Sequence, residues 1–294
     1  MKVIIHAGAF ATDDGRITKC LRQNKRLAED WKVGIPEPRT YQKRLSVLLG
    51  KPENYADPNS LGSTLRSVIV DEDYSLPNRV VLSHKNFFGL PKFAIANGEI
   101  FPEAVPRFEA FKKHLAPHEI ELFFSVRNIA TWLPEVFSAT SHHDLPGYLC
   151  GVDPSHLHWS RLADRLSTSF PNTPITIWCN EDSPLIWGEI VRSILGVPEG
   201  TKIKGAFDML ATIIKPEGMR RLRSYLGRQK GLNDIQKRRI MAAFFDKYAI
   251  EDAVMEELDI PGWTSEYVDY LGSTYERDID RIEVTSGVRL LTPW

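Results

Sequence analysis

The chain has 294 residues and a mass of 33.5 kDa; 43% of the residues are hydrophobic, 26% charged and 10% aromatic. This composition is typical of a globular protein with a full apolar core, and it excludes a disordered, collagenous or coiled-coil chain. The 37 Lys and Arg nearly balance 38 Asp and Glu, which leaves a net charge of −1. We therefore expect neither nucleic acid nor an anionic membrane as a partner, and any anion must be bound by a local site.

Apolar runs in this sequence are short. The longest, such as residues 3–5 and 241–245, fall far below the roughly 20 residues that span a bilayer, so we expect no membrane segment. The first residues carry too short an apolar block for a secretory signal. The three cysteines form no CxxC, which predicts neither a disulfide framework nor a thiolate metal site. These features together favour a cytoplasmic protein.

Strand and helix patterns alternate in the first part of the chain. Apolar and β-branched runs predict strands at residues 2–6, 66–71, 79–83, 119–126 and 174–180. Apolar positions at helical spacing predict helices at residues 17–27, 104–114, 131–139 and 158–169. This alternation predicts an α/β three-layer sandwich, with a mostly parallel central sheet covered by helices on both faces.

The second part of the chain is predicted to be mainly helical. Helical patterns cover residues 185–195, 205–224, 234–247 and 265–279, with little strand between them. No low-complexity linker separates two domains, so we expect a single domain with an α/β core at 1–195 and a mainly helical extension at 196–294. Residues 218–239 hold eight Lys and Arg, interpreted either as a solvated helical face or as an anion-binding wall over a substrate cleft.

The loop after the first predicted strand runs from His6 to Arg16 and contains Gly8 and Gly15. A glycine-containing turn between a strand and a helix collects backbone N–H groups and the positive helix end around one point, which suits phosphate. The loop lacks the GxxxxGK[ST] pattern of nucleotide phosphate sites. Because Asp13 and the acid beside it also fit helix N-capping, an ordinary capped turn stays open as the alternative.

Two further polar segments follow predicted strands. His84, with Lys85 and Asn86, comes directly after the strand at 79–83, where ligands sit in open α/β sheets. An imidazole there can act as a general base toward a hydroxyl, and a structural histidine is the alternative. Arg127 directly follows the strand at 119–126, where its guanidinium can grip phosphate oxygens or pair with a carboxylate.

In this order the three segments resemble the sulfotransferase family, whose P-loop-related fold uses 3′-phosphoadenosine 5′-phosphosulfate (PAPS) as sulfuryl donor. In that family a GxxKTGT-type loop follows the first strand, a later strand ends near a catalytic His or Glu, and a strand ends in an Arg that is followed by Ser. Residues 6–21, 80–89 and 123–138 look like these three elements. The likeness covers about residues 1–195.

The resemblance implies PAPS as co-substrate, a small acceptor with a hydroxyl or amine, and two groups of site residues. The implied catalytic residues are His84 and Lys85. The implied donor-binding residues are Gly8, Thr12, Gly15, Arg16, Arg127 and Ser138. The residues from the first loop would hold the phosphosulfate, and the last two would hold the 3′-phosphate.

Three places depart from the family pattern. Ala11 stands where the family has its phosphate-binding lysine, and Glu135 stands where it has the serine. The loop also has Asp13 and Asp14 before Gly15, where the family has Gly-Thr-Thr or Gly-Thr-Ser. Loss of the lysine removes charge stabilisation from the leaving phosphate, and Arg16 or Lys85 would have to compensate.

Two functional hypotheses follow from these matches and departures. The first is an active PAPS-dependent sulfotransferase, and the second is a degenerate sulfotransferase fold that serves as a binding or scaffold protein. A P-loop nucleotide hydrolase ranks lowest, because the lysine and a magnesium-binding hydroxyl are not in place. The histidines at 142–143 and 156–158 are conceivable metal ligands, but exposed loop histidines are commonly inert and we expect no metal.

Overall fold

The structure is a computed structural model that describes residues 1–50, 77–254 and 260–294. Over these residues the fold is α/β, with a central six-stranded sheet between two layers of helices. This confirms the predicted fold class. The strand predicted at residues 66–71 lies outside the described residues. No helix in the described part of the chain is long and apolar enough to cross a membrane.

The strands of the main sheet are β1 (Lys2–His6), β2 (Val33–Gly34), β3 (Arg79–Ser83), β6 (Glu119–Val126), β7 (Ile175–Cys179) and β8 (Val288–Leu291). Their order in the sheet is β2-β3-β1-β6-β7-β8, and every neighbouring pair is parallel. A separate antiparallel pair consists of β4 (Ile95–Ala96) and β5 (Glu99–Ile100).

The central strand β1 determines where a ligand would sit. The chain leaves β1 toward β2 on one side and leaves β6 toward β7 on the other, so the loops after these neighbouring strands diverge. Such a switch point opens a crevice beyond the carboxyl ends of the strands. We call this side of the sheet the carboxyl edge and the opposite side the amino edge.

Two apolar cores separate the sheet from its helical layers. One layer consists of α1 (Arg16–Gln23), α2 (Lys25–Asp30) and α8 (Ser183–Leu195). The other consists of α3 (Pro38–Gly50), α4 (Ala104–Leu115), α5 (Ile129–Ser138), α6 (Leu145–Leu149), α7 (Trp159–Ser169) and α13 (Ser265–Glu283). Because side chains alternate along a strand, Val3 and Ile5 of β1 join the larger core and Ile4 joins the smaller one.

A peripheral group of helices builds a third, small core. These helices are α9 (Leu210–Ile213), α10 (Pro216–Arg228), α11 (Asp234–Tyr248) and α12 (Glu251–Val254). Met219 and Leu222 of α10 pack in this core with Met241 of α11. Salt bridges tie α11 to α8, so the hairpin of α10 and α11 lies outside the α8 layer.

Most predicted elements lie within a few residues of their observed bounds, but three predictions need correction. The helix predicted at 205–224 is wrong as a single element, because turns precede α9 and Pro216 starts a new helix. The helix predicted at 17–27 is broken at Asn24, whose amide donates to the Cys20 carbonyl. The mainly helical second part also returns to the sheet, since β8 pairs with β7.

Candidate functional site at the carboxyl edge

A cavity of about 270 Å³ lies at the carboxyl edge, between the loop after β1, helix α3 and the segment after β3. Its lining residues are Asp13, Gly15, Thr18, Gln42, Lys43, Ser46, Ser83, His84, Lys85 and Asn86. Two of the segments singled out in the sequence therefore meet here. The contribution of α3 was not predicted, although Tyr41, Leu45 and Leu48 recur at helical spacing.

His84 is 7% exposed and is hydrogen-bonded through Nε2, which lies 2.7 Å from Oγ of Ser46. The Ser46 hydroxyl also lies 2.8 Å from the Gln42 carbonyl, to which it donates. Because a hydroxyl has a single proton, this arrangement assigns the imidazole proton to Nε2. Nδ1 is then an unprotonated nitrogen, and it is buried without a hydrogen-bond partner among the described residues.

The charge state of His84 follows from its burial. Desolvation, with smaller contributions from the nearby charges of Arg107 and Lys85, lowers the pKa of His84 to about 4. At neutral pH the ring is therefore uncharged and has a free lone pair. That is the state a general base needs before it takes a proton.

Two lysines place positive charge on the cavity wall. Lys43 reaches the cavity from α3 and Lys85 from the segment after β3, and both side chains are exposed. The Nζ atom of Lys85 lies 5.5 Å from the centre of the Phe10 ring, which holds it beside the loop after β1. Arg16 is directed elsewhere, with its guanidinium 3.4 Å from Sδ of Met209.

The loop after β1 is fixed by contacts on its carbonyl side. The carbonyl oxygens of Ala9, Phe10 and Ala11 accept hydrogen bonds from Thr12 Oγ1, Trp132 Nε1 and a guanidinium nitrogen of Arg127, at 2.6, 2.9 and 3.0 Å. The Thr12 hydroxyl is thus used inside the loop. These bonds turn three carbonyl dipoles into the protein.

Gly8 and Asp13 define the two ends of this loop. Gly8 has φ +94°, and a Cβ atom there would lie 2.9 Å from the Lys85 carbonyl oxygen, so only glycine fits. The buried carboxylate of Asp13 accepts from the backbone N–H of Ile17 at 3.1 Å. Asp13 thus stabilises the first turn of α1, and Gly15, the residue before this helix, has a left-handed backbone conformation. Asp13 also adds a negative charge to the cavity wall.

Arg127 links the loop after β1 to the start of α5. Besides its bond to Ala11, its Nε donates to Thr131 Oγ1 at 3.0 Å. Ser138 is the last residue of α5 and donates to the Glu135 carbonyl at 2.8 Å. Since seven residues of helix span about 10 Å, Thr131 rather than Ser138 is the hydroxyl next to Arg127.

A carboxylate cluster that the sequence patterns did not predict lies beside Arg127, at the end of β7. Glu181 accepts from the backbone N–H of Asn128 at 2.8 Å and from the Tyr275 hydroxyl at 3.0 Å. Burial and the adjacent charge of Glu181 raise the pKa of Asp182 to about 6. Two acids directly after a buried strand were a visible signal, but their partners Asn128 and Tyr275 are distant in sequence.

A larger cavity of about 670 Å³ opens at the amino edge, against α8 and α11. Arginines and carboxylates of its wall form the pairs Arg79–Glu121, Arg192–Asp234 and Arg238–Glu189. Backbone carbonyls accept further guanidinium bonds, for example Ile194 from Arg79 at 2.9 Å. Because these charges neutralise one another and join the peripheral hairpin to the core, we take the smaller cavity as the candidate site.

The remaining sequence candidates lie apart from the carboxyl-edge cavity. The Arg-rich stretch forms the exposed side of α10 and part of α11, and none of its residues lines that cavity. His142 and His143 are exposed, and His158 lies 3.5 Å from Asp278. Within residues 1–50, 77–254 and 260–294, no group of three or more His, Cys, Asp or Glu side chains could hold a metal ion.

The chain matches no protein-family model, no curated protein and no solved structure. The functional assignment therefore has to come from the site itself.

Proposed function

We propose that the chain is a PAPS-dependent sulfotransferase, acting in the cytoplasm on a hydroxyl or amine of a small acceptor. The observation that carries the proposal is the cavity in which the neutral imidazole of His84 lies beside Lys43, Lys85 and the loop after β1. Its position beyond the carboxyl ends of the parallel strands β1 and β3 supports a ligand site. The resemblance of the three segments to the family specifies the chemistry.

In the proposed reaction His84 takes the proton and the cations stabilise the leaving group. The acceptor oxygen attacks sulfur while its proton moves to Nδ1 of His84. The bond between sulfur and the bridging oxygen breaks, and its electron pair stays on the 5′-phosphate of 3′-phosphoadenosine 5′-phosphate. Lys85 and Lys43, which line the cavity, would offset this negative charge. They would thus replace the family's lysine, whose position is Ala11 in this chain.

Unsatisfied acceptors on two residues that line the cavity favour a ligand that donates a proton. Nδ1 of His84 and Oδ1 of Asn86 are both buried, and neither has a partner among the described residues. A buried acceptor without a partner costs about 1–3 kcal/mol. An O–H or N–H group of the acceptor molecule would supply the missing donor.

The second candidate is a degenerate sulfotransferase fold that binds a partner without transferring sulfate. Asp13 favours it, because its carboxylate lies in the cavity wall, where it repels a phosphosulfate. The hydrogen bond that the Asp13 carboxylate accepts from the Ile17 N–H at the start of α1 explains the same residue without any ligand.

Calorimetric titration with 3′-phosphoadenosine 5′-phosphate tests donor binding. We expect micromolar affinity for the wild type, and a roughly 10- to 100-fold loss in Lys85→Gln, since a charge-assisted hydrogen bond contributes about 1.5–3 kcal/mol. Lys92→Gln is the matched control, because Lys92 is an exposed cation outside the cavity, 4.5 Å from the Phe93 ring. Absence of wild-type binding at millimolar nucleotide would contradict the proposal.

Turnover separates the two candidates once binding is established. With PAPS and a phenol or amine panel, His84→Asn should lower release of the desulfated nucleotide by about 10²-fold while leaving its affinity unchanged. A wild type that binds the nucleotide but transfers to none of the acceptors would favour the degenerate fold.

A further inference from the structure

The outer side of α10 presents a group of cations that the proposed reaction does not use. Exposed cations of α10 are Arg220, Arg223 and Arg228, and Lys230 is exposed two residues after the helix ends. We call these four residues the arginine face. The one acid among residues 216–230, Glu217, pairs with Arg221 at 2.6 Å. No carboxylate of the described residues lies within 4.0 Å of a cationic group of the arginine face. The chain as a whole has a net charge of −1, so this positive field is local.

The cations are distributed on both flanks of the helix. At 100° per residue, Arg223 lies about 60° to one side of Arg220, and Arg228 lies about 80° to the other. Arg220 and Arg228 are about 12 Å apart along the axis, from the rise of 1.5 Å per residue. Between them lie Ser224 and Gly227, whose small side chains let another surface approach the helix backbone.

The opposite side of α10 is mostly used in packing. Met219 and Leu222 are buried in the small core shared with α11, and Gly218 is so close to Tyr248 that a Cβ would lie 2.5 Å from it. The arginine face is therefore presented on a fixed helix whose one exposed large apolar side chain is Tyr225, 45% exposed. A helix that binds a membrane surface needs a continuous apolar side.

The middle of the face also lacks the apolar anchor on which protein interfaces depend, since Ser224 and Gly227 occupy it. Cations on two flanks, with Arg220 and the small residues between them, instead fit a partner with two rows of negative charge. A nucleic-acid duplex has two such rows, one along each side of a groove that admits an α-helix. Arginine binds two phosphate oxygens at once through its planar fork.

We propose that the arginine face docks on the phosphate backbone of double-stranded nucleic acid, with α10 at a groove and without base-sequence selection. This docking is independent of the carboxyl-edge site. It replaces the expectation, drawn from the near-zero net charge, that nucleic acid is not a partner. The net charge of the whole chain does not reveal that the fold gathers these cations on one side of α10.

Fluorescence anisotropy with a labelled duplex of about 24 base pairs tests the docking surface. At about 50 mM salt we expect wild-type binding in the micromolar range, and a slope of log K against log salt near −3 for three to four neutralised phosphates. The variant Arg220→Gln/Arg223→Gln/Arg228→Gln should bind at least about tenfold more weakly, with a slope smaller by roughly 0.9 for each phosphate that the variant no longer neutralises.

The matched control is Arg26→Gln/Arg44→Gln/Arg277→Gln, which removes the same charge from exposed positions on three other helices. It should bind within about twofold of the wild type, and circular dichroism checks that both variants are folded. Equal losses in the two variants would overturn the proposal, as would no wild-type binding at about 100 μM protein. Arginine-dependent binding to phosphatidylserine vesicles without duplex binding would assign the surface to membranes instead.

Discussion

Replacing His84 by Asn should change how the stability of the protein depends on pH. The ordinary pKa of His84 is 6.5 and burial lowers it to about 4 in the folded chain, so between these values the unfolded chain binds a proton that the folded chain does not. The free energy of unfolding therefore has its full value above pH 6.5, where His84 is neutral in both states. It decreases as the pH falls from 6.5 toward 4. Linkage gives a loss of about 2 kcal/mol at pH 5 relative to pH 8, and about 3 kcal/mol below pH 4.

Urea unfolding at pH 8 and pH 5, followed by the fluorescence of the seven tryptophans, measures this effect. The stability advantage of wild type over His84→Asn should be about 2 kcal/mol smaller at pH 5 than at pH 8. His6 is also buried and has a lowered pKa, but it is present in both proteins, so its effect cancels in the difference. His143→Asn removes an imidazole from an exposed position and should show no such change.

A wild-type advantage that is equal at the two pH values, within about 0.5 kcal/mol, would refute the reasoning. It would mean that burial does not hold His84 neutral.

Three further predictions test the packing of the fold and of the loop after β1. Asp278→Ala should destabilise the protein by about 3–5 kcal/mol in urea unfolding. Its buried carboxylate accepts hydrogen bonds from two backbone N–H groups and a hydroxyl at the start of α7. A loss below about 1 kcal/mol would contradict this role. Gly218→Ala should lower the free energy of unfolding by about 1–3 kcal/mol, because its Cβ clashes with Tyr248. Gly227→Ala on the same helix places its Cβ with no atom within 4 Å and should raise the free energy of unfolding by up to about 1 kcal/mol. Thermal midpoints that shift in the same direction for both variants would refute this contrast. Gly8→Ala should cost about 1–3 kcal/mol and abolish nucleotide binding, because its Cβ meets a backbone carbonyl of the segment after β3; a folded variant with wild-type affinity would show that the loop does not form the site.

The long strands could be predicted because their residues are apolar on both faces, as strands buried between two helical layers must be. β1, β3, β6 and β7 all have this pattern. β8 has four residues and β2 two, which is too short for a periodicity to appear. Their places in the sheet depend on tertiary pairing, which the local pattern does not contain.

The common edge of the three polar segments could also be predicted, but the internal partners of the candidate site could not. Strand ends place Gly8, His84 and Arg127 at one edge of the sheet because parallel strands share an orientation. The bond between His84 and Ser46 joins residues 38 positions apart, and the contact of Tyr275 with Glu181 joins residues 94 apart. Such contacts depend on how helices dock and on side-chain direction, and no single-sequence pattern specifies them.

A crystal structure of the protein with 3′-phosphoadenosine 5′-phosphate tests the proposed donor site most directly. We expect the 5′-phosphate in the carboxyl-edge cavity, within hydrogen-bond distance of Lys85 and against the loop that contains Gly8 and Gly15. The adenosine 3′-phosphate should lie toward Arg127 and Thr131. Nucleotide bound in the amino-edge cavity, or no nucleotide density at millimolar concentration, would contradict the proposed sulfotransferase site.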